Sequence, residues 1–247
     1  MEKKGKKYLI CGGITKSGKD VTQFLAIDGN HCIAVGKFKK EIRKEDSESI
    51  QYIDCDFNDK VSVQNLCQIL EKEEIDTCVF LQRSKSTDIL ESLNVGVKTS
   101  VEIIDSIKIC LSKKKGNILF VGSILGQMID LEQTLSYHIL KASLHALIKY
   151  KACELAEYDI RVNLINLSTL RHTENSKLYD AGLFMGEFSK RVVPLKREVT
   201  SKDLADVIEL LSNQKFKMIT GESINLDGGL NNMSQRATVG KWIREQR

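Results

Sequence analysis

The chain alternates between short apolar runs of strand length and longer stretches with helical periodicity, and few architectures accept that order. The runs are KYLIC, CIAVG, QYIDC, TCVFL, NILFVG, RVNLINL and SINLD, rich in Val, Ile, Leu or Phe as strands covered on both faces must be. Between most of them lie amphipathic stretches, at 61–71, 99–112, 135–157 and 202–212. This predicts an α/β fold: a doubly wound parallel sheet of the Rossmann type, about seven strands with helices on both faces. The single proline, Pro194, leaves no Pro-rich linker, and no internal repeat is found, so residues 1–247 are read as one dinucleotide-binding domain. With 42% hydrophobic residues the chain can bury a core of that size.

One interval breaks the rhythm. Residues 169–192 mix charges, aromatics and glycines without a period, which fits a cover over a site or a plain surface excursion equally well.

Composition narrows the function classes. The formal charge is +4, from 37 basic and 33 acidic residues, and the basic residues fall in short groups such as KKGKK with no aromatics interleaved. That is the pattern of a solvated surface, and no nucleic-acid partner is expected. No apolar stretch approaches the ~20 residues a bilayer requires, and the N-terminal lysines precede no signal-peptide core, so the expectation is a cytoplasmic protein without a membrane partner. The seven cysteines include no CxxC spacing, and Cys11, Cys32, Cys55 and Cys78 fall in or beside apolar runs. They read as reduced, buried thiols, and no metal site is expected.

The stretch CGGITKSGKD, directly after the first apolar run, has two readings. From Gly13 it begins like a P-loop, but Asp20 stands where that loop needs Ser or Thr for a metal. From Gly12 it is a dinucleotide-type turn, with Gly12 and Gly18 in place and Lys16 at the position of a middle glycine. Gly12, Thr15, Lys16, Ser17 and Gly18 are the candidate phosphate contacts, at the start of a helix whose free N–H groups favour an anion. At the end of the second strand no acid awaits an adenosine ribose. Gly36 is followed instead by Lys37, Lys39 and Lys40, which could pair with a 2′-phosphate and so favour NADP(H) over NAD(H). Asp56, after the third strand, could reach the adenine amino group.

The segment SYHILKASLHAL puts Tyr137 and Lys141 one turn apart on one helix face. A phenol with a pKa near ~10 is a poor acid at neutral pH, and a nearby ammonium moves it toward the working range. A half-buried aromatic beside a surface lysine is the plainer alternative. Ser123 ends NILFVGS, at the carboxyl end of a strand, where its hydroxyl could bond a substrate carbonyl.

Taken in order, the glycine loop, CDFND, LNVG, ILFVGSILG, the Tyr137–Lys141 pair, IRVNLIN, PLKR and ITGESINLDGG resemble the short-chain dehydrogenase/reductase family in its single-domain form, from Lys7 to about Leu230. The resemblance decides the opening loop in favour of a dinucleotide. It implies that Tyr137 is the general acid, that Lys141 tunes it and binds the cofactor ribose, that Ser123 orients the carbonyl, and that Asn94 holds a water in the proton relay. PLKR and ITGESINLDGG most resemble the branch that reduces 3-oxoacyl thioesters and related ketones, which implies a small carbonyl substrate, carrier-bound or free. The interval 169–192 would then cover the substrate, with His172, Leu183, Phe184 and Met185 lining it. A homotetramer or homodimer packed through the two long helices is implied as well.

Departures from the family pattern fall on the cofactor side: Lys16, FLQR at 80–83 in place of NNAG, and Leu167–Ser168 in place of Pro-Gly. Two hypotheses therefore stand, an NADP(H)-dependent ketone reductase and a non-catalytic member serving as an oligomeric scaffold or binding module. His138 and His145 are read as packing or interface residues, and Trp242 as a residue of a subunit boundary.

Overall fold

The structure is a computed structural model that describes residues 5–14, 16–27, 29–38, 48–180, 182–234, 236–237, 240 and 243–244. Thr15, Lys39, Lys40 and Trp242 lie outside the described residues.

Seven parallel strands form one sheet. From edge to edge they are β3 (Ile50–Asp54), β2 (His31–Gly36), β1 (Lys7–Cys11), β4 (Thr77–Phe80), β5 (Asn117–Ser123), β6 (Arg161–Leu167) and β9 (Ser223–Leu226). Cys11 sits opposite both Val35 and Phe80, so the strand order reverses at β1, and a crevice opens at the carboxyl ends of β1 and β4.

Alternation along the strands feeds two cores. Leu9, Cys11, Phe80 and Phe120 point to one face, against Ile103 and Ile107 of α4 (Thr99–Lys114) and Ile148 of α5 (Leu135–Glu154). Tyr8, Ile10, Val79 and Leu119 point to the other, against Val21 of α1 (Ser17–Leu25) and Leu204 and Ile208 of α7 (Ser201–Leu211). Helix α2 (Lys60–Leu70) starts at Asp59, whose carboxylate accepts from the N–H of Val61. Burial pushes the Cys32 thiol up to about 12 and that of Cys55 up to about 11, so both are protonated core groups. Among the described residues no helix is long and apolar enough to cross a membrane.

Two features were not foreseen. Helix α3 (Ile89–Leu93) runs into α4 through one π turn, Asn94–Lys98. The interval 169–192 is folded: β7 (Leu170–Arg171) pairs with β8 (Val199–Thr200), a 3-10 stretch covers Thr173–Tyr179, and α6 spans Phe184–Arg191. Two-residue strands and 3-10 turns are too short to print a period on the sequence.

Candidate active site

Two cavities of about 780 and 640 Å³ open at the carboxyl ends of the strands. The first is bordered by Gly12, Gly18, Gly36, Lys37 and Asp56, the second by Ser123, Tyr137, Lys141 and Leu167. Lys16, Ser17, Leu81 and Arg83 line both and form the seam between them.

The glycine loop is built by close approach. Gly12 has φ +88°, and a Cβ there would lie 2.7 Å from the backbone nitrogen of Gln82. At Gly18 a Cβ would sit 1.9 Å from the carbonyl oxygen of Gly12, so only glycine lets α1 start against the loop. Lys16 adopts φ 52° and ψ −134°, a conformation suited to glycine. Holding a lysine in that conformation costs roughly 1–3 kcal/mol of strain.

Charge gathers around the seam. The Lys85 ammonium, with burial and the Arg83 guanidinium, holds Lys16 below the ordinary lysine range. In the first cavity Lys37 and Asp56, assigned above to different parts of a nucleotide, pair with each other at 2.5 Å. The Lys37 ammonium and the N–H of Asn58 hold the Asp56 carboxyl below the usual range, and Asp56 raises Lys37 in turn.

The second cavity carries the proton-transfer candidates. The hydroxyl of Thr134 caps α5 by accepting from the N–H of Tyr137 at 3.2 Å, which fixes Tyr137 in the first turn. One turn on, the Lys141 ammonium lies 5.8 Å from the centre of the Tyr137 ring and donates to the carbonyl of Val121 at 2.9 Å. Lys141 is buried, and burial, helped by Arg83, brings its pKa down to about 8. Ser123 ends β5 in extended conformation, and its Oγ accepts from the N–H of Leu125 at 3.2 Å. Asn94 is not brought to either cavity lining; its carbonyl accepts the N–H of Thr99 across the π turn.

The cover segment needs a correction. His172 lines the second cavity as expected, but Leu183, Phe184 and Met185 do not, and Leu183 and Phe184 stand exposed. Phe188 and Val192 do the lining, because α6 turns that stripe inward. Sequence reasoning set FLQR at 80–83 on the cofactor side but gave Arg83 no role there; Arg83 lines both cavities, and its neighbour Gln82 sends its amide to Ser100 Oγ at 2.8 Å. Neither Lys16 nor residues 80–83 fill the chamber beside Tyr137 and Lys141, which keeps a volume of about 640 Å³. His138 packs as expected, its ring nitrogens each 2.9 Å from a carbonyl oxygen, of Leu125 and of Asp130. His145 contacts the Ser223 hydroxyl at 3.1 Å.

A family model described as enoyl-(acyl carrier protein) reductase matches residues 33–231. The chain belongs to the short-chain dehydrogenase/reductase family. Members of this family similar to the chain include the 3-oxoacyl-(acyl-carrier-protein) reductase FabG of Buchnera aphidicola, 29% identical over 124 residues, which are 50% of this chain and 49% of that protein. The FabG of Thermotoga maritima is 27% identical over 249 residues, 93% of this chain and 99% of that protein. A crystal structure of a 3-oxoacyl (acyl-carrier-protein) reductase from Agrobacterium tumefaciens, with NADP bound, has the same short-chain dehydrogenase/reductase fold. Its TM-score is 0.77 at 19% identity, covering 91% of this chain and 94% of that one.

Proposed function

We propose that this protein reduces a ketone of the 3-oxoacyl thioester kind to a secondary alcohol, with NADP(H) as cofactor, in one domain that assembles as a homotetramer or homodimer. The observation that carries the reading is the meeting of Tyr137, Lys141 and Ser123 in one chamber that shares the lining residues Lys16, Ser17, Leu81 and Arg83 with a second cavity. A dinucleotide consists of two mononucleotide halves joined by a pyrophosphate, and two cavities with a cationic seam suit that division. The seam residues Lys16, Ser17 and Arg83 would hold the pyrophosphate, and Lys37 a 2′-phosphate.

When bound, a reduced nicotinamide supplies the hydride. The Tyr137 hydroxyl gives its proton to the carbonyl oxygen as that oxygen gains charge, and the Lys141 ammonium favours the phenolate left behind. The N–H of Leu125 already occupies a lone pair of Ser123 Oγ, which leaves the Ser123 hydroxyl proton to donate to the same substrate oxygen. Val121, Ile124, Leu125 and Phe188 wall the chamber with apolar surface, which suits an acyl chain and keeps water out. Exposed Ile109 and Tyr150 on the two long helices support assembly through them.

Titration with NADPH and NADH, followed by fluorescence, and then NADPH oxidation by a short 3-oxoacyl thioester, test the reading. NADPH should bind more tightly than NADH, and Lys37→Ala should remove that preference. No binding at millimolar cofactor would leave the scaffold alternative, which the departures at Lys16, Arg83 and Leu167–Ser168 favour.

A further inference from the structure

Two carboxylates join the segment after β7 to the turn that opens α1. Oδ2 of Asp20 accepts from the backbone N–H of Thr173 at 2.8 Å and from its hydroxyl at 2.9 Å. One residue on, Oε1 of Glu174 accepts from the backbone N–H of Lys16 at 3.3 Å. Asp20 lies within α1, whereas Glu174 reaches Lys16 at the N-terminal end of the helix.

That end attracts negative charge for two separate reasons. First-turn N–H groups have no partner within their own helix, and the helix dipole is positive there. Lys16 and Arg83 line the seam, and Lys85 borders the first cavity beside it. Among the described residues, neither Arg83 nor Lys85 has a carboxylate at ion-pair distance. The three cations press on one another: Lys85 and Arg83 lower Lys16, and Glu174 works against them. At Lys16 the Glu174 carboxylate is set against two cations, Lys85 and Arg83.

We infer that Glu174 sets the affinity of the groove for phosphate-bearing ligands, because its carboxylate holds the anion position at the start of α1 and an incoming phosphate must displace it. On the reading of the groove as a dinucleotide site, the displacing group is the pyrophosphate. The exchange also reaches the second cavity. Glu174 belongs to the 3-10 stretch that follows His172 and contains Asn175, both of which line the chamber of Tyr137. The Asp20–Thr173 hydrogen bonds tie the same stretch to α1, so release of Glu174 would remove one of the ties that the described residues show between α1 and a wall of the second cavity.

Calorimetric titration of the intact chain with inorganic pyrophosphate, at low ionic strength, tests this without any turnover. Glu174→Gln is expected to tighten binding by about two- to ten-fold. Glu174→Asp, which keeps the charge but is one methylene shorter, is expected to tighten it less, and Arg83→Ala to weaken it. Circular dichroism on each variant checks that the fold is intact. Unchanged or weaker binding in Glu174→Gln overturns the inference, as does the absence of pyrophosphate binding by both the natural chain and that variant. So does tightening in Glu174→Gln with none in Glu174→Asp, which would trace the effect to net charge. If pyrophosphate follows the expected order while NADPH fails to bind, the inference stands and the reductase reading falls.

Discussion

The Lys141 ammonium lies 5.8 Å from the centre of the Tyr137 ring, one helical turn away and buried in the chamber lining. In so dry a place its field on the phenol is screened little, which suits a proton donor that must leave as phenolate. Tyr137→Phe removes only the acid. We expect kcat to fall by about 10²–10⁴-fold while the dissociation constant for NADPH stays within about two-fold. Steady-state kinetics beside a binding titration checks this, and full turnover in the variant would remove Tyr137 from the mechanism.

Lys141 also fixes a pH dependence. Its pKa is about 8 in the folded chain against 10.5 as an ordinary lysine, because burial and then Arg83 disfavour the charge. Between those values the unfolded chain binds more protons than the folded one, so stability rises with pH across that window, by roughly 3 kcal/mol in total. Below about pH 8 the full penalty of the buried charge is present. Activity runs the other way: kcat/KM should drop as pH rises through about 8 and Tyr137 loses its ammonium. Denaturant titrations from pH 7 to 11 should show the rise and lose it in Lys141→Met. Arg83→Ala should move the falling limb of the pH–rate profile upward.

Gly96 governs how closely the π turn approaches α5. A Cβ there would sit 2.4 Å from Cδ1 of Leu140, the residue just before Lys141. Gly96→Ala should lower stability by about 1–3 kcal/mol, read from the urea midpoint, and shift the helix that carries the pair. Shortening Leu140 to Val in the same chain should recover part of the loss; no recovery would locate the strain elsewhere.

His138 clasps the chamber wall. Both ring nitrogens lie 2.9 Å from carbonyl oxygens, of Leu125 and Asp130, and Nε2 also lies 3.4 Å from the Asp130 N–H; the neutral ring, with one N–H, donates to one carbonyl, whereas the imidazolium donates to both. The Asp130 carbonyl first, and then that of Leu125, raises its pKa above the ordinary value. A raised pKa stabilises the fold fully below the unfolded value of about 6.5 and no longer does so once pH has passed the folded value. Hydrogen exchange at residues 125–130 should therefore quicken as pH rises through the histidine titration, followed by NMR. Exchange independent of pH, after correction for intrinsic rates, would count against the clasp.

The sheet and its helices were legible in the sequence because buried parallel strands are written as continuous apolar runs and helices as a 3.6-residue period, both local patterns. Tyr137 and Lys141 were legible for the same reason, since one turn of helix fixes their neighbourhood. Contacts between residues far apart in the chain carry no such mark. Nothing near Lys37 announces that Asp56 will neutralise it, and the outward turn of Phe184 and inward turn of Phe188 depend on how α6 is docked. Likewise, the arrival of Glu174 at the glycine loop joins positions separated by 158 residues. Periodicity and spacing decided the architecture and the helix-borne pair; only the packed chain decided which charges meet, because electrostatic partners are chosen by distance in space.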